Sequence, residues 1–477
     1  MFARKKKLVS IKSALAFLAV LIVISVVAVA ADSNLHANSV YVNGRAMVLG
    51  VGQEYDYQAV NENLVRYKSY DEDIVTVDSK GVFRAVAKGT AVVKIGTSDV
   101  TVYVEDAPTG LHFSEAELSI GEGETYMPPL TVEGSELNTG FRFTSSDPSV
   151  IGVDSLGNVT GISQGSADVN VESYNGLKAS AKINVLAAPQ TVQYPVSEKV
   201  LYIGTEKYLK ATVPSGSASK MIYTESDNTD VLKTEGAKLI PVSEGEATVT
   251  AETYNGKTAT CRIVVSKAPF YIRTDLDPGK PMIALSFDDG PNAGTTNTVL
   301  DTLQQYGASA TFFMVSNRLS KSGNADCAKR MVELGCQLGN HTYDHSHYGG
   351  DVTAQDISKG IEAIKAATGY APTAFRPTGG YLSDVIKENA SAPICLWNVD
   401  TNDWKYKDSE KLKNYVLYAA DDGDIILMHD IYKSSAEAVQ KFVPELTERG
   451  YQIVNIAELA YYKDTEMKNG QIYSSFK

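Results

Sequence analysis

The chain has 477 residues, enough at roughly 150 residues per domain for about three domains. Hydrophobic residues at 43% and charged residues at 21% are globular proportions, which excludes wholesale disorder and collagen-like repeats. A net charge of −13 excludes a general nucleic-acid binder, and four scattered cysteines (Cys261, Cys327, Cys336, Cys395) exclude a disulfide framework or a CxxC-type zinc site.

The first element is a basic head, Arg4 to Lys7 with Lys12, followed by Ala14 to Ala31, an apolar run broken only by Ser25. Its length approaches the roughly 20 residues that span a bilayer. Ala28-Val29-Ala30 also fits the small-x-small pattern that signal peptidase reads. Residues 1–31 therefore read as a retained membrane anchor or a cleaved signal. Either keeps the lysines inside and places the rest of the chain outside the cytoplasm.

From Ser39 to Lys267 short alternating runs are separated by Gly, Asn, Asp and Ser turns, and the pattern repeats. Asp71, Asp78, Gly81 and Gly89 recur 76 residues later as Asp147, Asp154, Gly157 and Gly165. Asp147, Gly165, Tyr174, Asn175 and Gly176 recur 80 residues later as Asp227, Gly245, Tyr254, Asn255 and Gly256. Asn175-Gly176 between two alternating runs predicts a hairpin. Strands spaced this way predict β-sandwiches. The unit resembles the bacterial immunoglobulin-like group 2 family over 39–105, 108–187 and 190–267, which implies three all-β Ig-like sandwiches acting as spacers or adhesive surfaces. The recurring aspartates are read as turn formers rather than calcium ligands, because no dense Asp-x-Asp-x-Asp run occurs.

After Pro269 strands alternate with helices: Met282 to Phe287, Thr295 to Tyr306, Ala310 to Val315 and Ala325 to Leu334. Alternation predicts a parallel sheet or barrel with its site at the carboxyl ends of the strands. Thr353 with Asp356 marks a helix start, Ile357, Ile361 and Ile364 its apolar face, and Gly369 its end. Unusual residues collect at the strand ends. Asp288-Asp289-Gly290-Pro291 leaves two adjacent carboxylates, costly unless a cation or arginine shares the site. His341 and His345 meet one cation if their segment makes a helical turn, and with Asp289 they form a mixed N/O set suited to catalytic zinc. Arg376 is placed to hold Asp288. Both tryptophans, Trp397 and Trp404, fall in one ten-residue stretch, and a buried strand ends at His429. Taken alone, His429 reads as a core histidine.

Five ordered motifs, Ser286 to Pro291, His341 to His345, Arg376 to Gly380, Asp400 to Trp404 and Leu427 to His429, closely resemble the polysaccharide deacetylase enzymes (NodB homology, carbohydrate esterase family 4) over about 275–460. The resemblance implies a distorted (β/α) barrel of about seven strands within 270–477. It implies Asp289, His341 and His345 as ligands of Zn²⁺, or of another divalent metal such as Co²⁺ or Ni²⁺. It further implies Asp288 as general base with Arg376 as its partner, and His429 as general acid beside Asp403. Trp404 and Leu427 line the groove, and the Gly379 N–H faces the oxyanion. Thr378 and Gly379 replace the family's Pro and Tyr, which puts the groove's shape in question. The implied activity is de-N-acetylation of N-acetylglucosamine in a cell-wall glycan. Peptidoglycan of a Gram-positive bacterium is the first substrate, with chitin-type oligosaccharide, exopolysaccharide and acetyl xylan as alternatives. An inactive carbohydrate-binding or adhesive surface protein is the reading from another class. Nothing in the sequence fixes the oligomeric state.

Overall fold

The computed structural model describes residues 41–42, 46–57, 65–137, 139–347 and 351–477. The proposed anchor or signal at 1–31 lies outside them. Among the described residues no helix is long and apolar enough to cross a membrane. The chain divides into two compact units, one comprising 1–197, 209–225 and 249–261, the other 198–208, 226–248 and 262–477.

The described residues of the first unit form β-sheets. Strands Glu117–Gly121, Lys178–Leu186, Gly165–Ser173 and Phe141–Ser145 form one sheet, and Thr125–Tyr126, Val159–Gly161 and Ile151–Val153 a second. The alternating burial of Val169, Val171, Ala181, Ile183 and Val185 fills the space between them. The described residues between 46 and 105 likewise form two sheets, around Met47, Phe83, Val93 and Val102. Asn175-Gly176 turns the hairpin as expected, with Gly176 at φ 85°. The recurring aspartates cap turns: Asp78 Oδ1 accepts from the Lys80 and Val82 N–H groups, and Asp154 Oδ1 from those of Leu156 and Asn158.

The repeated Tyr-Asn-Gly has a packing role that the repeat alone did not reveal. Tyr174 donates its hydroxyl to the Val51 carbonyl at 2.8 Å, and Asn175 its amide to the Pro108 carbonyl at 2.9 Å. Tyr254 and Asn255 do the same to Glu122 and Pro189, at 2.6 and 2.9 Å.

The second unit is built on a parallel sheet. Its strands are β1 (Met282–Asp288), β2 (Thr311–Met314), β3 (Gln337–Asn340), β4 (Ala374–Phe375), β5 (Ile394–Cys395), β6 (Val399–Asp400), β7 (Ile425–His429), β8 (Gln452–Val454) and β9 (Ile472–Tyr473). The order is β6-β7-β1-β2-β3-β4-β5-β9, with β8 on the first half of β1. The distorted barrel of about seven strands is thus a curled sheet of nine, and just beyond β9 a Ser475–Asp424 bridge and the Phe476 N–H bond to the Gly423 carbonyl tie the chain back to the start of β7. β9 joins it from beyond residue 460, where the family resemblance ended, and β6 and β9 stand at its two ends.

Period-2 alternation explains the layers. Ile283, Leu285, Phe287, Phe312, Leu338, Ile426 and Met428 face helices Ala293–Gln305, Asn324–Glu333 and Lys433–Glu448. Met282, Ala284, Phe313, Ala374 and Ile425 face helix Ile456–Tyr462. That helix caps the amino ends of the strands, its Ile456 and Ala457 N–H groups donating to Thr311 and Gln337.

Residues 198–208 belong to the same packing. The Tyr461 ring packs on Tyr202 at a tilt of 33° with centroids 4.9 Å apart, its hydroxyl hydrogen-bonds Thr205 at 2.7 Å, and the buried Lys207 ammonium lies 4.4 Å over the ring. A fragment begun at residue 268 would lose all three contacts, so the experiments below use the full chain. Also within this unit, Lys207–Tyr208, Lys238–Pro241 and Leu232–Glu235 form a three-stranded antiparallel sheet.

Candidate active site

Alternation also decides which side chains meet. On β1 the inner face carries Met282 and Ala284, and therefore Ser286 and Asp288. On β7 it carries Ile425, hence Leu427 and His429. β4 places Ala374 inward and Arg376 two residues later. The register pairs Asp288 with His429 and Ser286 with Leu427. Backbone bonds continue past the ends of β3 and β4, from the His341 N–H to the Met314 carbonyl and from the Arg376 N–H to the Asn340 carbonyl. Asp288, His341, Arg376 and His429 thus converge at the carboxyl end of one face.

Arg376 is fully buried. Its Nη1 donates to Asp288 Oδ1 at 2.8 Å and Ser286 Oγ at 2.9 Å, its Nε to the Cys395 carbonyl and its Nη2 to the Leu396 carbonyl. Phe313 and Trp397 flank the guanidinium at 4.0 and 5.4 Å. Asp288 Oδ2 lies 3.7 Å from His341 Nε2.

Asp289 stands at φ 72°, which turns its carboxylate away from the strand and toward the two histidines. Nε2 of His345 is 3.2 Å and Nε2 of His341 3.6 Å from Asp289 Oδ1. That oxygen is buried and makes no hydrogen bond. Ligands about 2.1 Å from a tetrahedral centre sit roughly 3.4 Å apart, so this donor set fits a divalent cation. The tautomer fits as well: His341 Nδ1–H donates to the Arg376 carbonyl at 2.7 Å, which leaves Nε2 with its lone pair facing Asp289. Burial lowers the His341 pKa, favouring the neutral ring that metal binding needs.

The expected helical turn between the histidines is absent. His341 continues the line of β3, and Thr342 and His345 take left-handed backbone at φ 70° and 61°. Asn340 supports this bend, Oδ1 accepting from the Thr342 N–H at 3.0 Å and Nδ2 donating to the Ile357 carbonyl at 3.0 Å. Gly360 makes room, since a Cβ there would lie 2.3 Å from Asn340 Oδ1.

His429 Nδ1 donates to Asp403 Oδ1 at 2.7 Å. Asp403 is fully buried, and its Oδ2 also accepts from the His429 N–H and Ser435 Oγ. Burial alone would lower the imidazole, but the Asp403 hydrogen bond and charge raise its pKa to about 9. Leu427 lies at the floor, 5% exposed, while Trp404 at the rim is 51% exposed. Gly379 is exposed at φ 63°, a backbone conformation that suits glycine better than the family's tyrosine.

The motifs give no role to Asn340, Ser286, Asp430 or Ser435, which the structure places around the site. Asp430 is buried on the opposite face, accepts from Thr296 Oγ1 at 2.5 Å, and is pushed up to about 7 by burial. It packs beneath Gly290, where a Cβ would meet its oxygen at 2.2 Å. The polar Asp after His429 was its only signal.

Residues 275–393 match the polysaccharide deacetylase family and residues 109–183 the bacterial Ig-like domain (group 2). The chain is 36% identical over 191 residues to the peptidoglycan-N-acetylmuramic acid deacetylase of Bacillus subtilis, 39% of this chain and 40% of that protein. It therefore spans about two fifths of that relative's length. It is 34% identical over 204 residues to a peptidoglycan-N-acetylglucosamine deacetylase of Bacillus cereus, 40% of this chain and 94% of that protein. Among solved structures, a T48 deacetylase with substrate shares 37% identity at a TM-score of 0.39, covering 42% of this chain and 100% of the other. With nearly the whole length of a one-third-identical relative covered, the chain belongs to the polysaccharide deacetylase family.

Proposed function

We propose that this protein removes N-acetyl groups from N-acetylglucosamine residues of a cell-wall polysaccharide, most directly peptidoglycan, and releases acetate. The observation that carries the reading is the convergence of Asp288, Asp289, His341, His345, Arg376 and His429 at the carboxyl ends of β1, β3, β4 and β7. The Bacillus relatives, named for peptidoglycan, supply the polymer. In this reading Asp289, His341 and His345 hold the metal, zinc first. The segment at 1–31 anchors or exports the chain, and Ig-like modules at 39–105, 108–187 and 190–267 space the enzyme from its base.

A divalent cation held there supplies the Lewis acidity that polarises an acetamide carbonyl and acidifies water. Asp288, fixed by Arg376 through one oxygen, accepts the proton of the attacking water through the other. The Gly379 N–H donates to the oxygen that becomes negative, a contribution of roughly 3 kcal/mol for a donor of this kind. His429, kept protonated by Asp403, gives its proton to the departing amine. Leu427 and Trp404 bound the acetyl and sugar positions.

His429 as acid has a pH signature. It is charged below about 9, so activity falls as pH rises through that value. Asp403→Asn removes the anion, lowers the imidazole pKa and brings the alkaline limb of kcat to lower pH. A profile unmoved by Asp403→Asn would remove His429 from this role.

The functional test is acetate release by the full chain from purified peptidoglycan before and after chelation. Release that stops on chelation and returns with zinc is expected. Undiminished release from metal-free protein would sink the metal-dependent reading.

A further inference from the structure

Beside His429 the short helix Asp403–Tyr406 lies between two left-handed residues, Asn402 and Lys407, both at φ 49°. Neither is glycine, and such backbone persists only where its surroundings hold it. Here the buried Asp403 anchors the segment, accepting also from the Trp404 N–H at 2.9 Å. Three exposed lysines stand on this ridge, and each rests on an aromatic face. Lys407 Nζ is 5.2 Å from the Tyr432 ring centroid, Lys405 Nζ 5.9 Å and Lys411 Nζ 3.5 Å from that of Tyr406. The Tyr432 ring is in turn 6.0 Å from His429, which ties the ridge to the site.

Among the described residues none of the three lysines pairs with a carboxylate, in a chain of net charge −13. The neighbouring charges are already engaged. Lys413 pairs with Glu445 at 3.0 Å, Lys441 with Glu410 at 2.8 Å, and Asp408 Oδ1 accepts from the Glu410 and Lys411 N–H groups. A row of unpaired cations on aromatic supports favours a ligand with apolar sugar faces and negative charge.

We infer that Lys405, Lys407 and Lys411 recognise carboxylates carried by the glycan strand, so that the enzyme prefers an anionic acetylated glycan over a neutral one. The inference rests on the proposed deacetylase function and names the substrate class of that site. The carboxylate can come from a lactyl ether on the sugar or from a peptide attached to it, and both present the same chemistry to the ridge.

The test uses the full chain and three substrates: a neutral N-acetylglucosamine oligomer, a peptidoglycan fragment with its peptides, and the same fragment stripped of peptides by an amidase. K405Q/K407Q/K411Q is expected to lower kcat/KM about 10-fold on the carboxylate-bearing fragments, chiefly through KM. The same variant stays within about twofold on the neutral oligomer, and the lysine-to-arginine triple variant retains the preference. Raised salt should erase the preference in the wild type, since these charges are exposed. Loss only on the peptide-bearing fragment assigns the peptide carboxylate, loss only on the stripped fragment the lactyl carboxylate that the amidase frees, and loss on both shows that the ridge reads either one. Unchanged activity on all three substrates overturns the inference, as does an equal fall on all three or a wild type that prefers the neutral oligomer. If the wild type ignores the neutral oligomer, retention of activity by the arginine variant carries the inference and its loss overturns it. A wild type inert on every substrate fails the deacetylase reading first, and this inference with it.

Discussion

Asp288→Asn is expected to lower kcat for acetate release roughly 10²–10⁴-fold with little change in KM. The amide keeps the size of the carboxylate and one oxygen to accept from Arg376 Nη1, which now lies 2.8 Å away. It cannot take a proton from water. Asp289, His341 and His345 are untouched, so metal content, measured by mass spectrometry on the purified variant, should equal that of the wild type. The two readouts together separate a lost base from a lost ligand. A variant that stays active would give the base role to another group, and one that loses its metal would place Asp288 among the ligands.

The second large effect is on stability. Arg376→Met removes the donor to four acceptors at once: Asp288, Ser286 and the carbonyls of Cys395 and Leu396. Asp288 is buried, so the variant leaves an uncompensated carboxylate inside the fold. Breaking a buried ion pair from one side costs about 3–5 kcal/mol, and over a region of about 200 residues this lowers Tm by roughly 10 °C. Adding Asp288→Asn to Arg376→Met should recover part of the loss, because the stranded charge is gone. Thermal unfolding of the single and double variants measures this directly. A double variant less stable than Arg376→Met alone would show that the carboxylate is not what makes the single change costly.

Much of the site was legible because sequence alternation and the strand ends carry it. Met282 to Asp288 and Ile425 to His429 are long enough to show their phase, and Gly290-Pro291 marks where the first must stop. The helix Ala354–Thr368 was fully signalled: Thr353 and Asp356 form a reciprocal capping box, and Gly369 ends it at φ 83°. The histidine segment was misread for a physical reason. A four-residue spacing favours a helical turn only where the backbone stays right-handed, whereas Thr342 and His345 are left-handed and Asn340 holds the bend. Strands of two residues, such as Ala374–Phe375 and Ile394–Cys395, have no period to detect, and Ile472–Tyr473 pairs with a strand some 80 positions earlier. Asp430 faces the helices rather than the site, and its burial is a tertiary fact. The repeats were legible as repeats, but the tyrosine bonds that link successive copies were not.

The most direct test of the central claim is to treat purified peptidoglycan with the full chain, digest it, and identify which amino sugars have lost acetyl groups, with the Asp288→Asn variant as the parallel control. Glucosamine residues with free amines are expected after wild-type treatment and none after the variant. Free amines on muramic residues instead, the sugar for which the Bacillus subtilis relative is named, would keep the chemistry and overturn the assigned sugar. Glycan left fully acetylated by folded, zinc-loaded protein would contradict the account.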